Sequence, residues 1–285
     1  MKAYETTKYS GINFLGEIPE HWQLWKFKTI TSILTCGYAS TPEYVSEENG
    51  VPFLSAQNVK PGRIVLDKYN FISKKLHSEL TRNKKPIKGD VLVARVGGEG
   101  NIGDAALVDL DFEFSVYVSL THIRPRKNLY NKFLIYFFQS AYSRLLAKIE
   151  TQVGGGVGNL NVKDMERYKL PIPPLPEQRQ IAAYLDYKTQ QIDRFIANRK
   201  KQIELLEEQK EAIINKAITV GIVNVDLEVI ETHWYSLKPK NWELLKFNAA
   251  INLIHGFQFR DNDFTAEGIK IVKITQLNAN GTLDL

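Results

Sequence analysis

Apolar positions follow two different rhythms along this chain. Up to about residue 170 they come in short runs bounded by Gly, Pro, Asn or Asp: Val51–Leu54, Arg63–Leu66, Asp90–Val96 and Phe114–Ile123. The runs are rich in β-branched and aromatic residues and predict strands. Lys132–Ala147 has helical spacing instead, with an apolar face too broad to be left in water, and predicts a helix packed on the sheet. The expected fold class is α+β, with residues 1–170 forming one mixed domain.

From Glu177 to Val220 the rhythm lengthens to eleven residues. One row is Ile181, Ile192, Ile203, Ile214; a second is Tyr184, Phe195, Leu206, Ala217; a third is Leu185, Ile196, Glu207, Ile218. An eleven-residue period corresponds to ~3.67 residues per turn, so the stripe runs nearly straight along a single helix of coiled-coil type. That helix would be roughly 65 Å long at 1.5 Å per residue. Pro171, Pro173, Pro174 and Pro176 predict a stiff extended connector before it, with Pro176 suited to the first turn and Glu177 to the positive end of the dipole. Gly221 is the expected stop. An exposed helix of this length does not stand on its stripe alone and calls for a partner.

A sequence repeat then reorganises the picture. Pro19-Glu-His-Trp-Gln-Leu-Trp-Lys-Phe27 returns as Pro239-Lys-Asn-Trp-Glu-Leu-Leu-Lys-Phe247, identical at five of nine positions. The likeness continues weakly through Gly37-Tyr38 against Gly256-Phe257, and Gly50–Leu54 against Gly268–Val272. The expected organisation is therefore a domain over 1–170, a connector and spacer helix over 171–222, and the incomplete start of a second such domain over 223–285.

Composition narrows the class. With 44% hydrophobic and 11% aromatic residues the chain is globular rather than disordered. One cysteine, Cys36, excludes an internal disulfide framework and suits a reducing compartment. No apolar run approaches the roughly 20 residues of a membrane span, and the first residues lack a signal-peptide core, so the cytoplasm is the expected location. The net charge of +5 is uneven: residues 1–176 carry +6, residues 177–218 carry +1 and residues 219–285 carry −2. A basic domain ahead of a nearly neutral rod is compatible with a polyanion partner.

Catalytic chemistry is hard to find. Gly98-Glu-Gly100-Asn-Ile-Gly103 has the spacing of a dinucleotide fingerprint, but Asp104–Asp109 reads as a strand, so no helix follows to hold a pyrophosphate. Gly154-Gly-Gly-Val-Gly158 is either a surface loop or a bare backbone that approaches a phosphate. The five histidines show no metal-ligand spacing, and no nucleophile elbow or base-methylation tetrapeptide is present. Basic clusters remain: Lys74, Lys75, Arg82, Lys84, Lys85, and then Arg124 and Arg126. They are either solvated surface or phosphate contacts. Gln57, Asn58, Arg95 and Asn101 carry the donors and amides that read base edges, and each is also an ordinary loop residue.

Four motifs carry a resemblance. They are Gly16-Glu-Ile-Pro-Glu-His-Trp22, Lys88-Gly-Asp90-Val-Leu-Val93, Gly158-Asn-Leu-Asn161, and Leu170-Pro-Ile-Pro-Pro-Leu-Pro-Glu-Gln-Arg-Gln-Ile-Ala182. In this order the chain resembles the specificity subunit of type I restriction–modification systems. The resemblance implies target-recognition domains that each read half of a bipartite duplex DNA site. It implies long helices that pair antiparallel as a ruler and dock methyltransferase subunits. It implies no catalysis by the subunit itself: S-adenosylmethionine, ATP and magnesium would belong to the methyltransferase and restriction subunits. A full subunit of that family has two recognition domains and two long helices. This chain, with one of each, is expected to be truncated, split or a fragment, and able to pair as a homodimer. Two other readings stand beside this one. One is a scaffold that docks the methyltransferase through the rod but reads no DNA. The other is a stand-alone enzyme.

Overall fold

A computed structural model describes the chain except residues 1–3, 98–100, 155–156, 223–224, 233–235, 253, 255, 266, 279–281 and 284–285. It divides into two compact units, Met1–Arg199 and Lys200–Leu285.

The first unit is built on a four-stranded antiparallel sheet in the order Ala105–Leu107, Val91–Ala94, Leu120–Pro125, Thr31–Cys36. Val91–Ala94 is buried at every position, which explains its unbroken apolar run. Val91 and Val93 enter a core with Phe27, Ile30, Leu134, Phe138, Met165 and Leu170. Leu92 and Ala94, pointing the other way, enter a second core with Leu54, Val59, Ala106, Phe114 and Leu120. Period-two alternation thus serves two hydrophobic layers at once. A smaller sheet of Ser115–Val116, Gly50–Leu54 and Asn70–Ser73 shares residues with the second layer.

Several sequence expectations are refined. The single helix expected over 132–147 is two, Asn131–Gln139 and Ala141–Glu150. Ser140 breaks it: its backbone is extended (φ −70°, ψ 151°), and its hydroxyl caps the second helix by accepting from Ser143 N at 3.2 Å. The run Phe114–Ile123 is likewise two strands, Ser115–Val116 and Leu120–Pro125. Ala105–Leu107 is a strand, as the segment after the glycine motif predicted. Gly154 and Gly158 lie in paired strands, Thr151–Gly154 with Val157–Leu160, while Gly155 and Gly156 of that motif lie outside the described residues. A Cβ on Gly158 would come within 2.5 Å of Ile102 Cδ1, so close packing explains that glycine. A helix that the pattern did not suggest, Lys74–Thr81, is capped by Ser73, whose hydroxyl accepts from Leu76 N.

The long helix spans Leu175–Val220, 46 residues, or roughly 69 Å. Gly221 follows with φ +82°, a conformation that costs glycine least, and terminates it as expected. Pro171 lies in the strand Lys169–Ile172, which pairs antiparallel with Gln23–Lys26, and Pro176 falls in the first turn of the helix. Among the described residues no helix is long and apolar enough to cross a membrane.

The second unit carries the repeat into three dimensions. Leu227–Val229 pairs with Leu237–Pro239, and Thr7–Tyr9 pairs with Glu17–Pro19, in the same register displaced by 220 positions. Trp22 N donates to Pro19 O, and Trp242 N to Pro239 O, each at 3.0 Å. Short helices follow at Phe27–Ile30 and Phe247–Ala250. Further on, Ser55 N donates to Asn58 Oδ1 at 3.0 Å and Lys273 N to Gln276 Oε1 at 2.8 Å, one turn made twice without a shared residue. What differs is cover. Phe27 is fully buried, whereas Phe247 is 71% exposed. Residues 243–246, matching the strand Gln23–Lys26, form no strand.

Candidate nucleic-acid interface

The residues expected to meet DNA separate into two groups. Lys74, Lys75 and Arg82 are exposed on the helix Lys74–Thr81 and its C-cap. Lys84 is half-buried beside Cys36, Tyr38 and Thr81. Among the described residues these four have no ion pair. Two lysines in a first helical turn oppose the helix dipole, a cost of about 0.3–1 kcal/mol each at a surface site, so helix stability does not explain them. Lys85 is also exposed, but Glu113 engages it, and that contact, together with His77, holds the Glu113 carboxyl below the usual carboxylate range. Gln57 is exposed at a cleft also lined by Tyr44, Phe53, Ser55, Asn70 and Tyr117, and its Nε2 donates to Lys68 O at 3.2 Å. Asn101 is exposed in a turn beside residues that lie outside the described set.

The second group is engaged in the fold itself. Asn58 is 1% exposed; its Oδ1 accepts from Ser55 N, and its Nδ2 donates to Val65 O and Lys68 O at 2.9 and 2.8 Å. Arg95 is 7% exposed and donates from Nε to Leu160 O, from Nη1 to Val118 O and from Nη2 to Asn159 Oδ1, all within 3.0 Å. Arg126 Nε donates to Thr31 O at 3.0 Å.

Arg124 belongs to a buried charge cluster. Asp90, 1% exposed, accepts from Arg124 Nε and Nη2 at 2.8 Å each, from His122 Nε2 at 2.7 Å and from Ile87 N at 2.9 Å. An ionised carboxylate only accepts, so His122 Nε2 is the donor. Burial pushes the Asp90 carboxyl up, but the hydrogen bonds from His122, Arg124 and Ile87 outweigh it and hold the pKa below the usual range. The cluster joins strands Val91–Ala94 and Leu120–Pro125 at their rim.

The motifs that singled out this chain are therefore framework. Asn159 anchors Arg95, and Asn161 caps the helix Val162–Glu166 by accepting from Lys163 N. Glu177 and Gln178 fasten the long helix to the domain. Of the residues expected to meet DNA, Lys74, Lys75, Arg82 and Gln57 stay exposed and without an ion pair among the described residues. Tyr44, Asn70 and Tyr117 were not signalled by the sequence, because only folding brings their aromatic faces and amide to one cleft.

Beyond its first turns the helix stripe is bare. Ile181 packs on the core and Leu185 is half-buried, but Tyr184, Ile192, Phe195, Ile196, Ile203, Leu206, Ile214 and Ile218 are exposed. Among the described residues no group of three or more His, Cys, Asp or Glu side chains could hold a metal.

Comparison with known proteins places this arrangement. The chain is 24% identical over 272 residues to the EcoKI specificity subunit of Escherichia coli, covering 93% of this chain and 55% of that one. It is 25% identical over 274 residues to the MjaVIII specificity subunit of Methanocaldococcus jannaschii, covering 96% and 59%. Both are type I restriction enzyme subunits, and the chain spans about half their length. The fold is shared with the HsdS subunit from Thermoanaerobacter tengcongensis, with a TM-score of 0.52 and 23% identity over 75% of this chain and 47% of that one. Residues 19–208, covering most of the first unit and much of the long helix, match the model of the type I restriction modification DNA specificity domain, and the chain belongs to that family.

Proposed function

We propose that this chain is a DNA-reading specificity module with no catalysis of its own. Its first unit reads one half of a bipartite duplex site, and its long helix docks a methyltransferase subunit and sets the distance to the second half-site. The observation that carries the reading is the family match, which runs without interruption through reader and rod. Cations with no ion pair on Lys74–Lys84 supply phosphate contacts, and the Gln57 cleft supplies amide and aromatic groups for base edges. S-adenosylmethionine, ATP and magnesium belong to the methyltransferase and restriction subunits. The exposed stripe takes a second copy of the helix, antiparallel, so that two identical units read an inverted repeat.

Selection tests the reading. With its methyltransferase partner and S-adenosylmethionine, the chain should direct methylation to one bipartite motif in a random duplex pool. Methylation without sequence preference would leave only a scaffold. The chain alone with cofactor and DNA should transfer no methyl group. Charge reversal at Lys74, Lys75 and Lys84 should weaken binding to all sequences alike and lower the salt slope by about 1 for each phosphate no longer neutralised. Weakening confined to one base position would instead make a lysine a base reader.

A further inference from the structure

The helix leaves the first unit through a joint more elaborate than a linker. Gln178, in its first turn, is 1% exposed, and both its amide hydrogens and its oxygen are bonded. Oε1 accepts from Tyr130 N at 2.7 Å, and Nε2 donates to Asn128 O and Pro173 O at 2.9 Å each. The neighbouring Glu177 carboxylate reaches a different part of the chain. It accepts from Tyr4 Oη at 2.5 Å, His21 Nε2 at 2.8 Å and Trp22 Nε1 at 3.0 Å. Two turns on, Asp186 accepts from Lys132 Nζ at 2.9 Å and Tyr136 Oη at 2.7 Å. Between these points Ala182 is buried and Ile181 packs on the core.

A helix held at one point can swivel; one held by three groups on different faces cannot. The consequence scales with leverage. From Asp186 to Arg199 the helix rises ~20 Å, so a tilt of roughly 10° moves Arg199 by about 3.4 Å, one base-pair step. A ruler read to one base pair therefore needs a joint stiff to a few degrees. We infer that Glu177 and Gln178 are the positioning residues that fix the angle between reader and rod, and so set the single half-site spacing the complex accepts. This rests on the DNA-reading function proposed above.

Glu177→Ala and Gln178→Ala, in the full chain with its methyltransferase partner, are tested on duplexes whose half-sites are held constant while the gap varies. Wild type should prefer one gap. Each variant should accept gaps one base pair longer and shorter, with discrimination reduced by about tenfold, as expected when buried amide bonds or charge-assisted carboxylate bonds are removed. The bases selected within each half-site should not change. An unchanged gap preference, or parallel loss of gap and base selection, would overturn the inference. A second measurement needs no DNA. Nitroxide labels at Lys68→Cys and Asn198→Cys in a Cys36→Ser chain, diluted with unlabelled protein, should give a narrow distance distribution. Gln178→Ala should broaden it at least about twofold, since a stiff joint depends on a locked supporting shell; an unchanged width refutes a stiff joint at this position. Absence of any bipartite site in wild type would sink the DNA reading, while the label distances would still judge the joint.

Discussion

Asp90→Ala is expected to destabilise the first unit by about 3 kcal/mol, within the range for breaking a buried ion pair by removing one partner. The carboxylate is the acceptor for four hydrogen bonds, and its removal leaves His122, 1% exposed at the side chain, facing an empty acceptor position. Arg124, 29% exposed, can turn toward water, which keeps the cost at the lower end. The melting midpoint should fall by roughly 6–12 °C for a domain of this size. The pH dependence has a definite sign. The folded pKa of Asp90 is depressed, so its contribution is complete above the ordinary carboxylate pKa of ~3.9 and is lost as pH falls through the folded value. The stability gap between wild type and Asp90→Asn should accordingly be constant near neutrality and close in acid. Calorimetry showing the same gap at every pH would mean that the charge contributes nothing.

Ile192→Glu with Ile203→Glu is expected to abolish self-association. Both side chains are 56% exposed, so the first unit should fold as before. Burying an isoleucine in a partner helix contributes about 1.5–3 kcal/mol, and an antiparallel pair uses each position twice. Removing four such burials amounts to roughly 6–12 kcal/mol, enough to move a nanomolar dimer toward millimolar or beyond. Light scattering should give a dimer for wild type and a monomer for the double variant. A wild-type monomer, or a variant dimer, would contradict pairing through this stripe.

The sequence disclosed regular elements better than roles. Within the run Asp90–Val96 the strand Val91–Ala94 was legible because apolar residues at consecutive positions can serve two cores only in an extended chain, but the break at Arg95, after which Val96–Gly97 joins another sheet, was not. The long helix was visible because a stripe of period eleven persists over four repeats. Lys74–Thr81 was hidden, since its charged residues look like a loop, and only the Ser73 cap and buried His77 mark it after the fact. Asn58 and Arg95 resembled base readers because donors beside turns look alike whether they face solvent or carbonyls, and burial is a property of the assembled sheet. Gln178 was seen within a motif, but its three partners lie at positions 128, 130 and 173, and no local rule joins them.

The duplicated hairpin has a kinetic consequence. Its register is the same where Glu177 holds the following Trp22 and where Phe247 beside it stands bare. The pairing is therefore written in the hairpin itself, whose strands are seven residues apart in sequence in both copies. Loops of that size close in about 10–100 ns, far faster than distant strands can meet. A lone two-stranded hairpin is marginal in water, so each copy forms and re-forms rather than persisting. The chain thus carries, at two places, a piece of architecture that is sampled early and that docking makes persistent.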